Sequence, residues 1–217
     1  MPASSRKERE KERRRSQILE AAEVVFRRKG YQATTMDQVA EEAEFSKGTL
    51  YLYFGSKFAL FSELSNRVLT AVRDEFEKIS QEPISGLQKV GQMLRFWASE
   101  MSSNIRRFRL AISWIASDDS HDEECPGMCS HRETMGTVIG LLSAAIADGQ
   151  SDGTVSNPAS ATTLACQVWS GMVGALLFSS RVEQDGNRFP VAIDPENFMD
   201  SFVDLLSSGL ASKGIVE

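Results

Sequence analysis

The chain has 217 residues, 41% hydrophobic and 25% charged, with three cysteines and a formal net charge of −6. That is enough sequence for one small and one medium globular domain, and an odd cysteine number this low excludes a disulfide framework and suits a reducing cytoplasm. The acidic total hides an asymmetry: residues 1–60 hold 12 Lys and Arg against 9 Asp and Glu, whereas residues 61–217 hold 12 against 21. A basic footprint confined to one end is expected when one domain meets phosphates and another does not.

Residues 1–15, MPASSRKEREKERRR, carry seven basic and three acidic residues and no apolar run. They read as a flexible basic arm or a frayed helical extension, able to follow a DNA backbone or enter its minor groove. No apolar segment follows this basic start, so it is no secretory signal. The most apolar stretch, 168–178, is far shorter than the roughly 20 residues of a spanning helix, so no membrane partner is expected.

Residues 34–61, TTMDQVAEEAEFSKGTLYLYFGSKFALF, carry the most information. Met36, Val39, Ala40 and Ala43 are apolar at helical spacing behind Thr35, a candidate N-cap. After a break at Glu44 and Phe45, Ser46 can cap a second short helix whose apolar members are Leu50 and Phe54. Gly55, Ser56 and Lys57 then end it and cap a third. This is helix-turn-helix spacing, in which the second helix offers its first residues to a major groove. Lys47, Gly48 and Thr49 fill that exposed turn. Gly48 permits close backbone approach and Thr49 can meet a base edge or a thymine methyl. Tyr51 and Tyr53 can hydrogen-bond phosphates or pack a small core, and Lys57 can add a charged contact.

The segment resembles the DNA-binding domain of the TetR (tetracycline-repressor-like) family of bacterial regulators. The matching residues are Ala21, Ala22 and Phe26, then Gly30 through Thr35, then Val39, Ala40 and Ala43. Ser46 through Tyr51, Tyr53, Phe54, Ser56, Lys57 and Leu60 complete the match, which covers about residues 14–62. The resemblance implies an all-α, homodimeric protein: a three-helix DNA-binding domain over 16–62 and a helical ligand-binding and dimerisation domain over 63–217. It also implies DNA contacts from Thr35, Ser46, Lys47, Gly48, Thr49, Tyr51, Tyr53 and Lys57. Two positions depart from the family pattern. Glu44 stands where a glycine is usual, in a turn that favours φ > 0; it would cost free energy there, so a turn that differs in detail is expected. Leu52 stands where relatives are often basic or polar, so it either touches a thymine methyl or packs within the domain.

Beyond residue 57, apolar residues recur at helical spacing over 57–80, 84–103, 104–117 and 131–148, with a polar loop at 118–130 and a stop at Gly149. Asn157-Pro158 and Asp194-Pro195 read as N-cap and N1 signals for helices to about 180 and 210. Residues 161–178 are apolar nearly all round, and Gly171 and Gly174 permit close helix contact, so this helix is buried on more than one side, in a monomer core or a dimer. The TetR resemblance implies that the last two helices pair with those of a second copy, and the width of the apolar face favours the same reading. Trp97, Met101, Phe108, Trp114, Met135, Trp169 and Met172 are candidates to line an effector pocket, and the scarcity of charge among them favours a small, largely apolar molecule.

One local oddity remains. The segment 118–131, DDSHDEECPGMCSH, brings Cys125, Cys129 and His131 together with acidic neighbours. It is a solvated acidic loop, a soft-metal site or a redox pair; neither common zinc spacing is met, so no metal and no cofactor is expected. No catalytic set is visible: two histidines, no phosphate loop and no nucleophile elbow. The expected protein is therefore no enzyme. It is a ligand-responsive transcriptional repressor released from a palindromic operator, with a metal- or thiol-responsive regulator using 118–131 as the alternative.

Overall fold

The computed structural model describes residues 6–103, 105, 126–185 and 195–211. Among the described residues there are eight helices and no strand: α1 (Arg6–Lys29), α2 (Met36–Glu42), α3 (Lys47–Tyr53), α4 (Lys57–Ser80), α5 (Gly86–Ser103), α6 (Pro126–Asp152), α7 (Ala161–Asp185) and α8 (Pro195–Leu210). The chain forms two compact units, Met1–Val68 with Arg106–Arg132, and Leu69–Ile105 with Glu133–Glu217.

The first unit is built round an apolar cluster from α1, α2, α3 and the start of α4. Ile18, Leu19, Ala22, Val25 and Phe26 lie on one face of α1 and are buried against Val39, Ala40, Leu50 and Leu60. Phe26, Tyr31 and Phe61 close it as a triad with ring centroids 5.2–6.2 Å apart. Such aromatic pairs add about 0.5–1.5 kcal/mol each beyond burial.

The 1–15 arm of the sequence reading is, from Arg6 onward, a continuous part of α1. Glu10 pairs with Arg13 and Arg14, each at 2.9 Å and one turn away. The hydrogen bond from Arg13, then that from Arg14, holds the Glu10 carboxyl down to about 2. Opposite charges three and four apart support the exposed helix that a run of basic residues alone would fray.

The turn between α2 and α3 shows why Glu44 departs from glycine at a cost. The Glu44 N–H donates to the Glu41 carbonyl at 3.2 Å and the Phe45 N–H to the Ala40 carbonyl at 3.0 Å. This pair of bonds is a Schellman motif, which needs its central residue left-handed. Glu44 has φ 57°, the only positive φ among the described non-glycine residues. Phe45, one residue on, packs on the core and holds the turn in place.

In the second unit, α5 packs on α7 and α8, and α7 on α8. Val90, Leu94, Trp97 and Met101 of α5 are buried, as are Val138, Leu142 and Ile146 of α6. The backbones of α5 and α6 touch where Gly86 meets Gly149: a Cβ on Gly86 would lie 2.0 Å from the Gly149 nitrogen. Asp152 seals the junction by accepting from the Gly86 N–H at 2.8 Å and the Thr154 N–H at 2.9 Å. Its carboxyl lies below the usual range because of the Thr154 hydroxyl first, then the Gly86 N–H.

Several sequence expectations change here. Helix α6 begins at Pro126, inside the expected loop, and passes through Gly149 to Asp152. Gly149 is a crossing point, and the stop is Gly153 at φ 81°. Helix α7 is capped by Ser160, whose hydroxyl accepts from the Thr163 N–H at 3.2 Å. Asn157 instead accepts from the Ala159 N–H at 3.0 Å and forms a turn ahead of the helix. The 104–117 helix lies outside the described residues apart from Ile105. By length and composition alone, Ala161–Arg181 of α7 is apolar enough to cross a membrane, with a mean hydropathy of 1.4. The core helix of a globular protein passes the same test. Leu164, Val168, Met172 and Leu176 form the buried stripe of α7.

Glu44→Gly is expected to raise the stability of the first unit by about 0.5–1 kcal/mol. Relief of the left-handed strain, about 1–2 kcal/mol, exceeds the added unfolded-state entropy. Urea unfolding followed by circular dichroism reads it; a destabilised variant would mean that Glu44 earns its place through a contact of its side chain.

Candidate nucleic-acid interface

Helix α2 is fixed at its start by a reciprocal cap. The Thr35 hydroxyl accepts from the Gln38 N–H at 3.3 Å, and the Gln38 side chain accepts from the Thr35 N–H at 3.2 Å. Helix α3 starts at Ser46, whose hydroxyl accepts from the Thr49 N–H at 3.1 Å and lies 2.8 Å from the Thr49 hydroxyl. Leu50 is fully buried and Phe54 nearly so, so α3 lies against α2 on its Leu50 face. Arg15 secures the far end of α3. Its guanidinium sits 4.4 Å from the Phe54 ring centroid, donates to the Tyr53 carbonyl at 3.3 Å and pairs with Glu63.

The face opposite Leu50 is defined by helical geometry: Gly48 and Leu52 lie one turn apart, with Tyr51 beside them. Leu52 is 84% exposed and Tyr51 45%. A Cβ on Gly48 would meet nothing closer than the Ser46 hydroxyl at 4.0 Å. Nothing inside the domain therefore requires glycine there. Tyr53 packs on the core cluster, while Tyr51 stays exposed.

The charges on this side are paired loosely. Lys47 meets Asp37 at 2.8 Å with both side chains well exposed, and the Asp37 carboxylate raises the lysine's pKa. An exposed pair of this kind contributes little to stability and is easily exchanged for another anion. Lys57 differs. Its ammonium donates to the carbonyls of Tyr31 at 2.8 Å and Gln32 at 3.3 Å and lies 4.4 Å from the Tyr31 ring centroid. It ties the loop after α1 to the start of α4, a role the sequence reading did not give it. Arg15 was missed altogether, being grouped with the arm; the signal available was its place one turn before the apolar Ile18 and Leu19.

Of the pocket candidates, Phe108 and Trp114 lie outside the described residues. Trp97, Met101 and Met172 are buried, and Met135 is half-buried. Trp97 meets Trp169 edge-on with centroids 5.4 Å apart. In the 118–131 segment, Cys125 is outside the described residues and Cys129 is exposed. His131 has its Nδ1 buried without a hydrogen-bond partner, and burial lowers its pKa. Among the described residues no group of three or more His, Cys, Asp and Glu is placed to hold a metal.

The architecture is that of a helix-turn-helix protein with a second, all-helical unit. Residues 18–64 match the family model described as bacterial regulatory proteins, tetR family, so this segment is a TetR-family DNA-binding domain. It is 34% identical over 96 residues to the HTH-type transcriptional regulator YfiR of Bacillus subtilis, 44% of each chain. The match thus spans under half the length of that relative. Among solved structures, the transcriptional regulator FadR from Bacillus subtilis, in complex with stearoyl-CoA, superposes with a TM-score of 0.68 at 16% identity, over 89% of this chain and 98% of that one. SmeT, the repressor of the Stenotrophomonas maltophilia multidrug efflux pump SmeDEF, superposes at 0.71 and 16%, over 94% and 93%. At these identities the likeness establishes the fold.

Lys57→Ala is expected to lower the stability of the first unit by about 1–2 kcal/mol, because two carbonyls lose a charged donor and the Tyr31 ring its cation. Thermal unfolding reads this directly. An unchanged melting temperature would leave Lys57 with a phosphate role alone.

Proposed function

We propose that the protein is a homodimeric, DNA-binding transcriptional repressor of the cytoplasm, released from a palindromic operator by a small, largely apolar effector. The observation that carries the DNA-binding reading is the exposed Gly48–Tyr51–Leu52 face on a helix anchored by Leu50 and Phe54, within the 18–64 family match. Thr35, Ser46, Lys47, Thr49 and Tyr51 supply hydroxyls and an ammonium group for phosphates and base edges, whereas Tyr53 packs on the core and Lys57 holds the Tyr31 and Gln32 carbonyls. A twofold dimer must hold its two reading helices about one DNA turn, ~34 Å, or a multiple apart. An effector that binds better to the wrong spacing depletes the binding-competent population.

The dimer reading rests on α7 and α8. Phe178 is 38% exposed and Leu205 65%, and Gly174 is exposed, with no side chain and no other element among the described residues within 4 Å of its ideal Cβ. The apolar effector is favoured by the Trp97–Trp169 pair and by Met101 and Met172 on the helices of the second unit. The FadR structure with stearoyl-CoA shows a long acyl chain bound to a protein of this fold, which makes fatty acyl thioesters the first probes to try by thermal shift. The alternative, a metal- or thiol-responsive regulator, would use Cys125, Cys129 and His131; zinc or peroxide would then release DNA from the wild type but not from a Cys125→Ser, Cys129→Ser variant.

Gly48→Ala separates fold from binding. The subunit has room for the methyl, and alanine is the better helix former by up to about 1 kcal/mol, so stability is expected to hold or rise. Operator affinity, measured on sites from a genome-wide binding map, is expected to fall at least tenfold, about 1.4 kcal/mol. Unchanged affinity would move the reading face elsewhere. Gly174→Leu makes the matching test of assembly: the isolated subunit accommodates the side chain, so helicity is kept while sedimentation shows monomer. A variant that stays dimeric removes α7 from the centre of the interface.

A further inference from the structure

We propose that Leu52 is a specificity-determining residue that packs on the C5-methyl of one thymine in each operator half-site, an inference resting on the DNA-binding reading above. Of the two places the sequence left for this side chain, the structure closes one: at 84% exposure Leu52 does not pack within the domain. It projects from the same face as Gly48, one turn further on, where the bare glycine leaves room for a groove edge to come close.

Of the polar groups around it, the Thr49 hydroxyl lies in hydrogen-bonding distance of Ser46, the Lys47 ammonium sits in an exposed, exchangeable pair with Asp37, Tyr53 faces the core, and Tyr51 is exposed. Helix α3, KGTLYLY, contains no Arg, Asn, Gln, Asp or Glu; of the side chains that read guanine, adenine or cytosine edges by hydrogen bonds it carries Lys47 and Thr49 alone. In the major groove the one apolar mark that distinguishes a base pair is the thymine methyl. A leucine displayed into that groove gains by covering a methyl and loses by covering an unpaired donor or acceptor, so it selects T over C at its position.

The test uses the full-length protein and an operator taken from its own binding map. Each thymine in turn is replaced by deoxyuridine, which removes the methyl and leaves every hydrogen-bonding group in place. Wild type is expected to lose affinity about four- to tenfold at one thymine per half-site, the scale of one buried methyl contact. Leu52→Ala, an exposed change that circular dichroism should show to be fully folded, is expected to bind the natural operator with a similar loss. It should then be indifferent to deoxyuridine at that thymine, with its salt slope unchanged. A deoxyuridine penalty that persists in Leu52→Ala, or the absence of any sensitive thymine, overturns the proposal while DNA binding stands. A protein that binds no duplex in a salt-dependent way overturns both.

Discussion

A seven-residue helix does not form by itself in water, and α3 is that short. Fixing seven backbones costs about 7–14 kcal/mol at ~1–2 kcal/mol each. Burying Leu50 and Phe54 returns about 3–6 kcal/mol at ~1.5–3 kcal/mol apiece. The rest comes from neighbours: the Ser46 cap, the Schellman turn behind it, and Arg15 over Phe54. Orientation follows from the same arithmetic. With Leu50 inside, Gly48 and Leu52 have to be outside, and no rotation of α3 preserves both its burial and its caps.

This division explains where polar chemistry is spent. Around the core, donors are committed to backbone carbonyls: Lys57 to Tyr31 and Gln32, Arg15 to Tyr53. On the reading face they sit in exposed, exchangeable pairs such as Lys47 with Asp37. The first set makes the surface rigid, and the second leaves charge available to an incoming polyanion at little cost in stability. Glu44 fits the same pattern of local cost tolerated within a held frame, since Phe45 and the two turn hydrogen bonds keep it left-handed.

What was legible in the sequence followed period and caps. The Met36–Ala43 and Leu50–Phe54 spacings placed α2 and α3, whereas the missing glycine at 44 pointed to a turn different in detail, and Glu44 instead keeps the left-handed φ of 57° that a glycine would take. Long-range roles were not legible. Arg15 looked like one more charge in a basic run, because its partners Tyr53, Phe54 and Glu63 lie 38 to 48 residues away in sequence. Gly149 looked like a stop because a glycine's local signal is the same at a cap and at a crossing, and only the position of Gly86 tells them apart. Asn157-Pro158 carried a genuine turn signal, displaced three residues from the cap that Ser160 supplies. Five of the seven pocket candidates lie in described helices, but burial of Trp97 and Met172 follows from any packed core, and the sequence held nothing to separate a core from a pocket.

The meeting of Gly86 and Gly149 has a consequence for how the second unit tolerates change. At Gly91 and Gly171 in that unit the nearest neighbours are side chains, Arg95 and Ser207 at the one and Phe202 at the other, which can choose other rotamers. Where main chain lies on main chain there is nothing to rearrange. The crossing acts as a surveyor's benchmark: Val90, Leu94 and Trp97 on α5 and Ala145 and Leu142 on α6 are all set out from it at fixed distances along two rods. Drift in the sequence of those rods can alter what their faces hold, but not the level at which the faces meet.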